Sequence, residues 1–548
     1  MSNSGWNMYV FRDGRRTVNG AELVTSLASA ICRLQMAPEN RTEDLALLAL
    51  IAAGELECAL TDDADSAESA ALAAEVTDAL AVALLTRKKH SLSSIFQIVS
   101  RIDVASSYPV AVQEGFAYYA LHPRKIAALI ESLPLGPQVA VLGIRSIGVT
   151  LSAVAKAALC MRGVVCRRIT VRPTGHPYDR KLEVTNELRK WVAGPASEFL
   201  IVDEGPGISG SSFLSVAEAL VECGAQREQI YMLGSREVDP ATLRAQGAAA
   251  RWPGFRYVCA QSAPLPPPNA GESLSGGAWR RRFRCDENDM PATWAPLEPA
   301  KYLSEDGRSI FKFEGFGHYG EEVGERAMLL AGRGFTSNYL GNQSGFGRYE
   351  FVTGRTLNLC DRSAELIASM AEYLAWRSTA FPSEEPQTPE LEEMLRWNWY
   401  SEFGEELYLD ESRLEVARLT FCDARMMPYE WLCTSRGKLL KLDAASHGDN
   451  HFFPGPCDIA WDVAGAIVEW EMLGQARERF LAEYEARSGD PVRERLYPYI
   501  LAYVIFRLGW CKMAALAMSG EYDEALLERD YQCYRTLAMH LRKRAQAA

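Results

Sequence analysis

The stretch FLIVDEGPGISGSSFLSVAEAL, residues 199–220, decides how the first half of the chain folds. Phe199 to Val202 form an apolar run of strand length. Two adjacent acids, Asp203 and Glu204, end it. A loop of Gly, Pro and Ser then leads into a segment with apolar residues at helical spacing. A strand that ends in acids and turns through glycine into a helix suits a phosphorylated sugar. The acids bind hydroxyls, and the N–H groups of Gly210, Ser211 and Ser212 hold a phosphate with help from the helix dipole. The alternative is an ordinary strand-to-helix turn with serine as N-cap. Two acids desolvated side by side are costly without a ligand, which favours the first reading.

The flanking segments repeat the pattern. PQVAVLGIRSIGVTLSAVAKAAL, residues 137–159, reads as strand, loop and helix, with Arg145 and Ser146 in the loop. A second apolar strand near Val165–Val171 leads into RPTGHPYDRK, residues 172–181, a basic, turn-rich segment suited to a mobile flap. A further strand is expected at Ile230–Gly234. Strands alternating with helices imply a parallel sheet whose ligands sit at the carboxyl ends of its strands. EGFAYYALHP, residues 114–123, precedes the first strand, and its aromatics are read mainly as core.

Residues 106–262 resemble a type I phosphoribosyltransferase. The resemblance implies that Asp203 and Glu204 meet ribose hydroxyls, directly or through Mg²⁺. It implies that Ser209, Gly210, Ser211 and Ser212 cradle the 5-phosphate of phosphoribosyl pyrophosphate. Arg145 and Ser146 resemble the family's pyrophosphate loop, and Arg172 to Arg180 its flexible loop. The chain departs from the family in carrying Gly-Ile-Ser-Gly-Ser-Ser where Thr-Thr-Gly or Thr-Gly-Gly usually follows the acids, which leaves the acceptor open.

With 548 residues the chain is long enough for about two to four domains. Its 48 % apolar and 24 % charged content is that of a soluble globular protein. A net charge of −13 argues against broad nucleic-acid binding. The 13 cysteines are scattered without a CxxC pair, as expected of reduced thiols rather than a disulfide framework or zinc ribbon. MSNSGWNMYVFRDGRR, residues 1–16, lacks signal-peptide order, and no run of about 18 apolar residues is apparent. A cytoplasmic enzyme acting on small molecules, without a membrane or nucleic-acid partner, is the expectation, with a homodimer possible.

Residues 1–105 read as an Ala- and Leu-rich helical segment, a cap or dimerisation surface without a catalytic constellation. Residues 263–299, with the run PLPPP, read as a stiff linker. The cluster AWRRRFRC, residues 278–285, reads as an interdomain or solvated surface, the alternative being approach to a phosphate passed between the sites. From residue 300 to 548 an α+β pattern gives way to long helices, where Tyr497, Tyr499, Tyr503 and Phe506 fall at packing spacing.

This second half carries its own site residues. Lys312 lies between two Phe on a strand, and Glu322 and Glu325 open the following helix. A strand Lys paired with a helix Glu orients nucleotide phosphates in kinase folds. RYEFVTGRTL, residues 348–357, resembles the hinge between kinase lobes. Asp423 ends one apolar run and Asp443 another, about 20 residues on, the separation of a proton-accepting Asp and a metal-binding Asp. Residues 300–548 therefore resemble an aminoglycoside- or choline-phosphotransferase-type kinase. In that resemblance Asp423 is catalytic, Asp443 and Glu430 bind Mg²⁺, and Asp462 of DIAWDVAGA braces the catalytic loop. The loop lacks the family's His and Asn. His447-Gly448-Asp449 spells the family triplet but lies beyond the metal strand, so Asp423 is preferred to Asp449. Metal binding by His447, Asp449 and His451 is a weaker alternative.

The whole is expected to be a multidomain α/β and α+β protein. A parallel-sheet phosphoribosyltransferase-like domain with a helical N-terminal segment precedes a two-lobed kinase-like domain. The resemblances imply a bifunctional enzyme that transfers or removes a phosphoribosyl group and phosphorylates a hydroxyl with ATP. The second reading is a catalytically reduced regulator that senses nucleotide or phosphoribosyl pyrophosphate.

Overall fold

The computed structural model describes residues 8–10, 14–89, 92–260, 264–283, 290–383, 387, 390–407, 414–449, 452–453 and 455–547. His451, Arg284 and Cys285, named above, lie outside the described residues, as does the side chain of Asp449. The chain divides into two compact units. One comprises Gly14–Leu265 with Gly315–Tyr319. The other comprises Pro266–Glu314 and Gly320–Ala548 with Met1–Asp13.

The first unit is built on five parallel strands. Across the sheet they run Val165–Val171, Gln138–Ile144, Glu198–Val202, Ile230–Gly234 and Arg256–Cys259. Val141 sits opposite Arg168 on one side and Leu200 on the other. The central strands are apolar along their length because helices cover both faces. The chain order reverses between Gln138–Ile144 and Glu198–Val202. This is the switch point at which open α/β sheets form their ligand crevice. The helix Gly148–Met161 packs so closely behind the first strand that a Cβ on Gly143 would lie 2.2 Å from the Gly148 carbonyl oxygen.

The N-terminal helices belong to this same unit. Gly20–Gln35 and Ala67–Thr86 each pack on Thr42–Asp62, and Thr42–Asp62 and Ala67–Thr86 pack on Gly148–Met161. Their acids meet the sheet's basic side chains: buried Arg168 pairs Glu57 at 2.9 Å and Asp78 at 2.8 Å. The helical segment expected as a separate cap thus supplies counter-charges to the sheet.

The second unit begins with a five-stranded antiparallel sheet ordered Tyr339–Gln343, Phe346–Glu350, Ser309–Phe313, Lys301–Ser304, Ala270–Ser273. Ala270–Ser273 falls inside the stretch expected as linker, which is therefore in part an edge strand. Arg280, expected on the surface, is buried in an ion pair with Asp523 at 2.7 Å. Gly354–Thr356 then enters a three-stranded sheet with Trp431–Thr434 and Leu439–Lys441. Helices Ala364–Ala380, Ala460–Glu469, Gly474–Ser488 and Leu496–Ala517 enclose a core in which Tyr373, Trp461, Tyr484, Tyr499 and Tyr503 are fully buried. Tyr9, from the start of the chain, is tied to this core. Its N–H donates to Asn398 Oδ1 at 2.6 Å, and Asn398 Nδ2 donates to its carbonyl at 2.7 Å.

Two helical stretches, Ala64–Thr86 and Leu496–Ala517, have the length and composition of a membrane span, which a core helix also has. Their apolar windows are 44 % and 78 % buried within the protein, so Leu496–Ala517 spends its apolar surface on the core.

Candidate functional site

In the second unit five of the residues named from sequence, Lys312, Asp423, Glu430, Asp443 and His447, converge on the end of the Trp431–Lys441 hairpin. The loop carrying Asp423 follows the short strand Leu419–Thr420 and is held from below. Asp462, in the first turn of Ala460–Glu469, accepts the Asp423 N–H at 2.7 Å and the Ala424 N–H at 2.9 Å. This is the bracing role expected of Asp462. Burial and the Asp423 charge raise its carboxyl to about 6, against the opposing pull of Arg377 and the two N–H bonds.

Asp423 is completely buried. Tyr373 donates its hydroxyl to Oδ2, and the Lys441 ammonium lies 3.3 Å from Oδ1. Burial opposes ionisation, but Lys441, His447 and Arg377 outweigh it and hold the carboxyl well below its usual range. Glu430 is also buried, pairing Lys441 at 3.1 Å and Arg425 at 3.1 Å.

Asp443 is the more open acid. Its side chain keeps 28 % of its exposure, and its backbone takes φ 52°, turning the chain sharply after the strand. It pairs Lys301 at 2.9 Å and Lys312 at 3.2 Å. Burial works against its charge, but Lys301, Lys312 and His447 hold its carboxyl far below normal.

Lys312 therefore pairs with Asp443, and its Nζ donates to Ser446 Oγ at 2.7 Å. The expected pairing with Glu322 or Glu325 is not formed. The buried stripe of that helix runs through Gly320, Val323, Gly324, Ala327 and Leu330, which leaves both glutamates on its exposed face. The helix instead turns Arg326 toward the site, where Nε donates to the Ala445 carbonyl at 2.9 Å.

His447 stands among the three acids. Its Nδ1 is 3.6 Å from Glu430 and 3.8 Å from Asp423, and its Nε2 is 3.8 Å from Asp443. Burial lowers its basicity, against the opposing pull of Glu430 and Asp423. Sequence reasoning singled out His447 but missed Lys301, Lys441, Tyr373 and Arg377, which carry no motif spacing.

Among the described residues no group of three or more His, Cys, Asp or Glu side chains is arranged to hold a metal ion. Phosphoryl-transfer sites bind Mg²⁺ through one or two carboxylates together with substrate phosphates and water. Asp443, ionised and partly open, fits that use. Glu430, expected as a second metal ligand, does not: the Lys441 ammonium already lies between it and Asp423.

In the first unit Asp203 and Glu204 lie at the switch point. Burial raises Asp203 to about 7 against the opposing pull of the Glu204 N–H and Arg180. Burial, with the charges of Glu114 and Asp203, raises Glu204 well above the usual carboxylate range. Glu114 and Arg236, both missed from sequence, complete this cluster.

The expected phosphate cradle is partly satisfied from within. Gly210 is left-handed at φ 71° and its N–H donates to the Pro206 carbonyl at 2.7 Å. The Ser211 N–H donates to Ser209 Oγ at 3.2 Å. The hydroxyls of Ser209 and Ser211 donate to the Pro177 carbonyl at 2.8 and 2.6 Å, so the flap lies on the loop. Ser212 is the second residue of the helix Ser211–Glu222.

The basic residues are also engaged. Arg145 donates to the Thr61 carbonyl at 2.7 Å and pairs Asp62 at 3.1 Å, while Arg172 Nε donates to Asp62 Oδ1 at 2.7 Å. Ser146, beside Arg145, is half-buried. Arg180 donates to the Pro173 carbonyl at 3.4 Å and lies within electrostatic reach of Asp203.

No known family profile and no curated protein sequence matches this chain. Solved structures do match. Choline kinase LicA from Streptococcus pneumoniae is 17 % identical over 44 % of this chain and 89 % of its own, with a TM-score of 0.31. A choline kinase from Cryptosporidium parvum is 13 % identical over 49 % of this chain and 96 % of its own, with a TM-score of 0.33. The macrolide 2′-phosphotransferase MphH from Brachybacterium faecium is 15 % identical over 46 % of this chain and 94 % of its own, with a TM-score of 0.29.

Proposed function

We propose that the second unit transfers a phosphoryl group from ATP to a hydroxyl of a small molecule. The observation that carries this reading is the Asp462 carboxylate, which fixes the Asp423 loop through two backbone bonds beside a hairpin that ends in Asp443. Asp443 would hold Mg²⁺, which when bound neutralises phosphate charge. Lys312 and Lys301 are placed to bind phosphate oxygens once Asp443 turns to the ion. Asp423, expected from sequence to accept the substrate hydroxyl proton, is fully buried, so His447, facing it with Nδ1, takes that proton, and Asp423 stabilises the cation so formed. The test is phosphorus NMR of ATP incubated with a panel of amino-alcohols and sugars. Phosphate-ester formation lost by at least about 100-fold in Asp423→Asn and Asp443→Asn supports the reading; unchanged formation in both rejects it.

A second reading concerns the first unit. We propose that it binds phosphoribosyl pyrophosphate, because two desolvated acids at the switch point stand beside a serine loop that a flap already touches. Asp203 and Glu204 face the ribose, Ser209 to Ser212 the 5-phosphate, and Arg145, Arg172 and Arg180 the pyrophosphate. Binding requires the flap carbonyl to leave Ser209 and Ser211. Calorimetry with phosphoribosyl pyrophosphate decides it. Binding abolished in Asp203→Asn supports the site, and binding without pyrophosphate release identifies a sensor. No binding to the unmodified chain removes the proposal. Absence of a nucleic-acid partner, pairing into a homodimer and a cytoplasmic location remain proposals beside these.

A further inference from the structure

The Lys441 side chain is fully buried, and among the described residues the polar partners of its ammonium are oxygens. Its Nζ lies 3.3 Å from Asp423 Oδ1 and 3.1 Å from Glu430 Oε2, and donates to the Leu442 carbonyl at 2.8 Å. An ammonium has three donors, and three oxygens surround this one. Removing one partner of a buried charged pair is strongly destabilising, so Asp423 and Glu430 need a cation between them. Protein kinases meet the corresponding need differently. A neutral Asn on the catalytic loop binds a second Mg²⁺ beside the one on the strand Asp. Here a carboxylate, Glu430, and an internal ammonium stand beside Asp423.

Resting on the phosphotransferase reading above, we infer that Lys441 stands in for the second divalent cation, so that the site loads nucleotide with a single metal ion, at Asp443. The ammonium is held within the fold at the end of the strand Leu439–Lys441 and cannot dissociate with product. Asp443, 28 % exposed and flanked by Lys301 and Lys312, is left as the carboxylate open to a diffusible ion.

The experiment counts Mn²⁺ by electron paramagnetic resonance on the full chain with a non-hydrolysable ATP analogue. The unmodified protein is expected to bind one Mn²⁺, and Asp443→Asn none. Lys441→Ala and Lys441→Gln, which expose the Asp423–Glu430 pair, are expected to bind a second ion. Lys441→Arg, which keeps the charge, is expected to remain at one. Two ions on the unmodified protein would overturn the inference while leaving the phosphotransferase reading intact. So would a single ion on both uncharged variants, provided circular dichroism shows either of them folded. Failure of the unmodified chain to bind the nucleotide analogue at all would overturn both.

Discussion

Asp462 is almost completely buried, and the position of Asp423 depends on it. Its two oxygens take the N–H groups of Asp423 and Ala424, both buried. Leaving two buried donors unsatisfied costs about 1–3 kcal/mol each. Asp462→Ala is expected to lower the unfolding free energy by about 3 kcal/mol in denaturant titration, and Asp462→Asn by less, since one acceptor survives. Equal stability of Asp462→Ala and the parent would show that the brace carries no load. At this scale the acids were readable because each ends an apolar run, which is what marks a strand end in any sequence. Their counter-charges were not. Lys441 sits two residues before Asp443, where strand alternation would place both on one face. Instead the left-handed turn at Asp443 separates them, leaving Lys441 on Asp423 and Asp443 on Lys301 and Lys312. Arg145 gave no hint of its partner either, because Asp62 reaches it from a helix more than 80 residues earlier.

Elements assemble by periodicity, and where they meet, burial decides protonation. His122 is buried between the helices Thr42–Asp62 and Arg124–Ser132, facing Glu43, Arg124 and Lys125. Burial lowers it to about 4, with the Glu43 carboxylate opposing and the two cations assisting. Above about pH 6.5 the ring is neutral whether the chain is folded or unfolded. Between that value and about 4 only the unfolded chain takes up the proton, so stability is lost as pH falls through this window. The slope is about 1.4 kcal/mol per pH unit. Thermal melts of His122→Gln are expected to lack that part of the acid sensitivity. An identical pH profile for variant and parent would contradict the assignment. The parallel sheet could be read from 199–220 and its neighbours because its strands are uninterrupted apolar runs. The strand Ala270–Ser273 could not, since AGES is polar, short and at a sheet edge, where neither face needs apolar side chains.

At the scale of the whole molecule each unit is assembled from non-contiguous chain, and this is what sequence hides most completely. The segment around Tyr9 carried no packing signal in the sequence, yet Val10 is fully buried and Tyr9 is bonded through its backbone to Asn398. Asn398→Ala leaves the Tyr9 N–H and carbonyl without that partner. It is expected to destabilise the unit that carries Asp423 by about 1–3 kcal/mol, and Val10→Ala by a similar amount. Unfolding followed by the fluorescence of Trp461 and Trp470, both in the core of that unit, reports the change. No shift in either variant would mean that the chain start is not part of that core. The central claim is that Asp443 and Lys312 form a nucleotide-phosphate site. It is tested most directly by calorimetry of the full chain with Mg²⁺ and a non-hydrolysable ATP analogue. The structure predicts saturable binding that weakens at least about 100-fold in Asp443→Ala and in Lys312→Ala and persists in Asp203→Asn. Binding undiminished in the first two variants, or absent from the unmodified protein, would contradict it.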